Sequence, residues 1–148
     1  MQIENPRLGI ITYEKDQVIV FNEGLYGFEY LKKYVIANFN DNSIFKYLQS
    51  IEDVNIAFVI TEPENFMNSY ILDVTESDIK ELGIDSDADI MDYVIITIPE
   101  KLENITANLQ GPLLVNKKTN TAKQVLSLRD DYTTKYRIID NKITKKGS

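Results

Sequence analysis

Apolar and polar positions alternate in short stretches along most of this chain, and the stretches are separated by polar or glycine-containing links. Residues 17–21 (Gln-Val-Ile-Val-Phe) are β-branched and aromatic, a composition that favours an extended segment. Glycines at 24 and 27 then mark a tight loop, a geometry that suits residues able to take unusual backbone angles. Phe28, Leu31 and Tyr34 fall on helical spacing, so residues 28–34 are expected to form a short helix or helical turn, with a strand at 35–39. Strands are expected at 45–50 and 56–61, joined through 51–55, and again at 70–74. Thr75 followed by Glu76 and Asp78 reads as a helix start, where a hydroxyl caps free amides and carboxylates suit the positive end of the helix dipole. Gly83 is placed to stop that helix after about two turns. Residues 91–98 are the clearest strand. Further strands follow at 107–109 and 113–116, interrupted by Gln110-Gly111-Pro112, which predicts a bulge or bend. A polar link at 117–121 and renewed alternation at 122–128, where Leu126 and Leu128 oppose Val125 and Ser127, predict a hairpin.

About eight or nine short strands with short links predict a mainly β chain: a small antiparallel β-barrel-like single domain with one or two short helices. Closure of such a sheet removes the unpaired edges that invite aggregation. The domain is expected over residues 1–131, followed by a basic, frayed C-terminal tail at 132–148.

Composition narrows what such a barrel can do. The chain has 148 residues, enough for one domain with one good core. It contains neither Cys nor His, which removes disulfides, thiol chemistry, Ser-His-Asp triads and His/Cys zinc sites. Catalysis would have to rest on Asp, Glu, Lys, Tyr or Arg alone, and no enzymatic role is expected. No apolar run approaches the roughly 18 residues of a membrane span, and the first residues show no secretory signal pattern. A cytoplasmic location without membrane attachment is therefore expected.

The net charge is −7, unevenly distributed. Residues 132–148 carry a net +4 and residues 1–131 a net −11. An acidic body repels phosphate backbones, so direct nucleic-acid binding is not expected, whereas a basic protein partner is the natural complement. The stretch 62–92 holds ten acids against Lys80.

Within that stretch, Asp85-Ser86-Asp87-Ala88-Asp89 matches the opening of an EF-hand calcium loop. Ile90 stands where that loop needs Gly, and Ile96 where it needs a bidentate Glu, so no metal site is expected. No phosphate-cradling motif follows Gly24 and Gly27, and no cofactor is implied. Pairs such as Glu52-Asp53 and Glu62 with Glu64 would support a hydrolase only as two carboxylates facing across a cleft. Fifteen Phe and Tyr residues are most simply barrel core. Loop aromatics flanked by acids, such as Tyr26 and Phe66, would also make a protein-binding surface.

Five segments occur in a recognisable order: Phe21-Asn22-Glu23-Gly24-Leu25-Tyr26-Gly27-Phe28-Glu29; Tyr47-Leu48-Gln49-Ser50-Ile51-Glu52-Asp53 running to Ala57-Phe58; Thr97-Ile98-Pro99-Glu100; Ile105-Thr106-Ala107-Asn108-Leu109-Gln110-Gly111-Pro112-Leu113-Leu114-Val115-Asn116; and Ala122-Lys123-Gln124-Val125. Together they resemble the flagellar assembly factor FliW family. Tyr26 departs from the family's usual Pro, and the loop 62–69 is poorer in Pro and Phe than is usual there. The resemblance implies a small non-enzymatic β-barrel that binds the translational regulator CsrA away from its RNA-binding face, relieving repression of flagellin messenger RNA. It also implies binding to newly made flagellin, which competes with CsrA in a partner switch.

Candidate partner contacts are Gln49, Glu52 and Asp53, whose polarity is unusual for pure packing. The aromatic anchors Phe66 and Tyr70 join them, as do Asn108, Leu109 and Pro112 at the strand break. Gln49, Glu52 and Asp53 would equally serve to close a turn and cap amides, and Asn108 to satisfy a bulge. Asp85, Asp87 and Asp89 are the candidate RNA-repelling surface. The free chain is expected to be monomeric. A flagellin chaperone with no translational role and a carboxylate-dependent hydrolase are the alternatives.

Overall fold

In the computed structural model the described residues are 1–40 and 42–138. They form eleven strands and one α-helix: β1 (Gln2–Asn5), β2 (Gly9–Thr12), β3 (Ile19–Phe21), β4 (Lys33–Asn38), β5 (Lys46–Ser50), β6 (Ala57–Thr61), α1 (Glu76–Glu81), β7 (Ile90–Thr97), β8 (Thr106–Ala107), β9 (Leu113–Asn116), β10 (Thr121–Gln124) and β11 (Tyr136–Arg137). Strands β3 to β7 follow one another as antiparallel neighbours, β7 pairs with β9, β9 with β10, and β10 returns to β3. The sheet therefore closes as a seven-stranded barrel. All of these pairs are antiparallel except β10 with β3, which runs parallel through Thr121↔Val20 and Ala122↔Phe21.

Alternation divides each strand between the interior and the outer wall. Phe21, Tyr34, Leu48, Ile60, Tyr93, Leu113 and Ala122 fill the barrel. Strand β7 is apolar on both faces because its outward residues, Val94 and Ile96, lie in a second core with Phe66, Ile105, Leu109, Tyr132 and Ile138. A third core under α1 joins Leu82 and Ile84 to Leu114 and Val125. The β1–β2 hairpin forms a separate two-stranded sheet. Its Asn5 is buried and hydrogen-bonded to Gln49, which fastens the hairpin to β5.

Helix α1 forms as its sequence dictates. The Thr75 hydroxyl accepts from the Asp78 amide at 3.1 Å, and Gly83 ends the helix at φ +67°.

Three expectations are corrected. Residues 28–32 are turns and irregular chain leading into β4, which already includes Lys33 and Tyr34, and they are closed by Phe28 N–H to Leu25 O (2.7 Å) and Leu31 N–H to Phe28 O (3.0 Å). The extended pairing of Tyr34 with Ser50 prevents those turns from continuing as a helix. Residues 70–74 are not a strand. Tyr70 packs in the second core while Leu72 and Val74 pack in the third, so the segment bridges two cores instead of joining a sheet. Packing also continues past the expected boundary at Asp131, since Tyr132 and Ile138 are buried and β11 pairs with β8. The rest of the basic tail, with Lys142, Lys145 and Lys146, lies outside the described residues.

Candidate functional site

The residues singled out by sequence do not form one surface. Gln49 is 0% exposed: its amide nitrogen donates to Ser50 O (2.8 Å), Val54 O (3.2 Å) and Ile56 O (3.3 Å), and its carbonyl accepts from Asn5 Nδ2 at 2.8 Å. Leu109 (0% exposed) and Phe66 (4%) belong to the second core, and Pro112 is buried. Tyr70 is half-buried and stacks on Tyr132 with ring centroids 5.3 Å apart, its hydroxyl enclosed without a hydrogen-bond partner among the described residues. As surface contacts, Gln49, Phe66, Leu109 and Pro112 are thus corrected. Each is enclosed by chain that lies far from it in sequence.

Glu52, Asp53 and Asn108 keep some access but already have local work. Glu52 accepts from the amides of Lys32 and Lys33, and these bonds hold its carboxyl below the usual range. Asp53 accepts from the Asn55 amide at 3.0 Å, and Ser50 Oγ takes the amides of Glu52 and Asp53. Asn108 accepts from the Gly111 amide at 2.9 Å, closing the strand break.

Only part of the acidic stretch faces outward. Asp85 and Asp87 are exposed on either side of Ser86, whose hydroxyl accepts from the Ala88 amide. Asp89 is more enclosed, with 17% of its side chain exposed and Lys118 Nζ at 3.4 Å. On the helix, Asp78 and Glu81 bind Lys123 of β10, with Asp78 at 2.8 Å, and Glu23 stands 3.7 Å away. These carboxylates, Asp78 first, raise the Lys123 pKa, so the ammonium is firmly charged and pins α1 to the barrel.

One concavity in this stretch concentrates acid chemistry. Asp87, Glu64, Asp92, Tyr70, Leu72 and Ile90 line a hollow of about 310 Å³. Burial, and then the charge of Glu64, pushes the Asp92 carboxyl up to about 6, and Glu64 is within hydrogen-bonding reach. A glycoside hydrolase needs carboxyls about 5–9.5 Å apart across a substrate. Asp92 and Glu64 instead interact directly with each other, so this hollow does not supply the facing pair of the hydrolase expectation.

The Asp92 shift has a consequence for stability. The folded-state value exceeds the ordinary 3.8, so the fold binds the proton more tightly than the unfolded chain does. The stabilisation is full below about pH 4 and is lost as pH rises through about 6. Above that, the buried charge costs on the order of 1–2 kcal/mol after allowance for solvent screening. Asp92→Asn is expected to raise Tm by roughly 2–8 °C at pH 8 and to leave it almost unchanged at pH 4. Scanning calorimetry at the two pH values checks this, and an equal shift at both would rule it out.

These features define a small, closed seven-stranded barrel protein with a carboxylate-rich outer surface and an auxiliary hairpin. The family described as FliW protein matches residues 2–138. The flagellar assembly factor FliW of Thermoanaerobacter pseudethanolicus is 39% identical over 141 residues, covering 95% of this chain and 94% of that protein. The protein of the same name from Leptospira interrogans is 33% identical over 148 residues, covering 99% of each. A crystal structure of the flagellar assembly factor FliW superposes with a TM-score of 0.85 at 29% identity, covering 93% of this chain and 96% of that one. The chain belongs to the FliW family. Among the described residues, no helix is long and apolar enough to cross a membrane.

Sequence reasoning missed Lys123, Asn5 and the outward-facing Leu126 and Leu128 as positions that shape the surface. No local signal marked Lys123, because Asp78 and Glu81, which bind it, lie more than forty residues away in the chain.

Proposed function

We propose that this chain serves flagellar assembly in the cytoplasm as a non-catalytic regulatory binding protein. It engages CsrA, relieves repression of flagellin messenger RNA, and exchanges CsrA for flagellin. The observation that carries the reading is the acidic stretch 62–92, net −9, within which Asp85 and Asp87 are exposed and bound to no cation among the described residues. Set beside a basic RNA-binding dimer, such a surface raises the cost of bringing phosphates near without touching the RNA site. Glu52, Asp53 and Asn108 remain candidate contacts at the barrel rim.

A triple variant, Asp85→Asn/Asp87→Asn/Asp89→Asn, tests the mechanism. CsrA affinity should stay within about two-fold, while the RNA released at saturating protein falls about two- to five-fold, the change growing at low salt. Asp85 and Asp87 should account for most of it, since Lys118 already offsets Asp89. A filter-binding titration with RNA release unchanged would sink the repulsion mechanism. A pull-down with CsrA separates the proposal from a flagellin chaperone with no translational role, and failure to bind either protein would overturn both.

A further inference from the structure

We propose that the cleft between the 23–27 loop and residues 125–128 docks an amphipathic helical segment of a partner protein, apolar on one face and edged by Lys or Arg. The inference deepens the binding role proposed above and rests on it for there being a protein partner. The chemistry of the occupant is read from the cleft itself.

Three large apolar side chains open onto one hollow of about 370 Å³: Tyr26, 56% exposed, Leu126, 55%, and Leu128, 55%. Singly exposed apolar residues are ordinary on a protein surface. Three around one concavity are an anchor site, because burying them together removes a continuous apolar area from water. The exposure follows from where β10 stops. Gln124 turns its side chain to Gly111 O and to the Tyr26 amide, pairing ends there, and the next residues continue the alternation with Leu126 and Leu128 outward.

The backbone around the cleft disfavours strand addition as the means of recognition. Val125 N–H donates to Pro112 O (2.9 Å), Ser127 N–H to Gln110 O (2.8 Å) and Leu128 N–H to Asp73 O (2.8 Å). Tyr26 N–H donates to Gln124 Oε1 (2.9 Å). With these amides engaged, a partner is held by side chains, which suits a helix laid in a groove and not an added strand.

Charge fixes the kind of helix. Among the described residues, Lys123 is the one cation lining the hollow, and it is already surrounded by Asp78, Glu81 and Glu23. Three carboxylates against one ammonium leave the rim net negative, and Glu23 and Glu81 keep 66% and 51% of their side chains exposed. An acidic edge beside an apolar floor complements an apolar helix face flanked by cations and disfavours an acidic one.

The probes are two synthetic helical peptides of about fourteen residues, identical in their Leu positions. One carries Lys and the other Glu on the polar face. The full-length, isotope-labelled protein is titrated with each by NMR and calorimetry. The Lys peptide should saturate, with shifts centred on Tyr26, Leu126 and Leu128, and the Glu peptide should not bind. Leu126→Asp/Leu128→Asp should weaken the Lys peptide at least about ten-fold at unchanged Tm. Should that pair lower Tm, Leu126→Ala/Leu128→Ala replaces it, with a loss of about three-fold or more expected. Glu23→Gln/Glu81→Gln should weaken binding a few-fold and flatten its salt dependence.

Shifts centred elsewhere, equal binding of both peptides, or unchanged affinity in the leucine variants overturns the proposal. CsrA and flagellin are titrated against the same variants. If either binds the unaltered protein and the leucine variants equally, the cleft assignment fails and the proposed function stands. If neither binds the unaltered protein, the proposed function fails, and the peptide result judges the cleft alone.

Discussion

Gln49→Ala is expected to destabilise the protein by about 3 kcal/mol, lowering Tm by roughly 6–12 °C, although it removes a polar residue from a chain rich in polar residues. The size follows from what Gln49 holds. It is 0% exposed on the outer face of β5, and its amide satisfies carbonyls of Ser50, Val54 and Ile56. Its own carbonyl receives the Asn5 amide, and Asn5 in turn caps the amides of Arg7 (2.8 Å) and Leu8 (3.0 Å) in the β1–β2 turn. Truncation therefore leaves a cavity and strips buried groups of partners, each loss worth about 1–3 kcal/mol. A double-mutant cycle with Asn5→Ala should return a coupling of about 1–2 kcal/mol, because both changes cut one network. Denaturant unfolding of the four species measures it. Independent, additive losses would mean that the hairpin is not fastened through this pair. Partner affinity measured well below Tm should be little altered, which separates a clamp from a contact residue.

The same residue shows how far the sequence could be read. Strands β4 to β7 and β9 were legible because each is a short, largely apolar or alternating run bounded by polar or glycine links, a signal local to the strand. Helix α1 was legible for the same reason, since Thr75, Glu76, Asp78 and Gly83 are local instructions. Gln49 was not, because its burial depends on Asn5, 44 positions away, lying over it. Phe66 and Leu109 were read as reachable, yet they meet Tyr132 and Ile138 in a core assembled from four separated segments. The 28–34 segment failed in a different way. Its i, i+3 spacing of aromatics is genuine, but Phe28 packs on Phe58 of β6 at 5.1 Å, and Leu31 enters the barrel core from a turn. Periodicity reports which residues face inward. It does not report which backbone conformation brings them there when strand pairing competes. The exposure of Asp85 and Asp87 was legible because exposure is the default for a solvated acidic turn. The Tyr26–Leu126–Leu128 cleft was not, because alternation over 122–128 sets Leu126 and Leu128 opposite Val125 and Ser127 without saying which face lies outward, and Tyr26 is about a hundred residues away.

Gly24→Ala is expected to destabilise by about 3 kcal/mol, far more than a single added methyl group suggests. Gly24 sits at φ +69°, where an L side chain costs about 1–2 kcal/mol. A Cβ there would stand 2.6 Å from Glu29 Cα, 2.8 Å from its carbonyl oxygen and 2.9 Å from its carbonyl carbon. These are backbone atoms of the opposite limb of the loop, so no side-chain rotation relieves the clash, and overpacking of this kind costs about 1–3 kcal/mol more. The limbs cannot easily separate. Gly24 N–H is bonded to Phe21 O at 2.9 Å, and Leu25, 1% exposed, is seated in the barrel core. Gly27→Ala supplies the control: its φ is +86°, but its Cβ would meet nothing within 4 Å, so only the conformational cost of about 1–2 kcal/mol remains. Chemical denaturation of the two variants should therefore place Gly24→Ala at least about 1 kcal/mol below Gly27→Ala. Equal losses would show that the Glu29 backbone yields and that the loop is not rigid. Because Tyr26 lies between these glycines, the comparison also measures how firmly one wall of the docking cleft is fixed before a partner arrives. A rigid wall is what lets a small apolar cleft bind without an ordering cost.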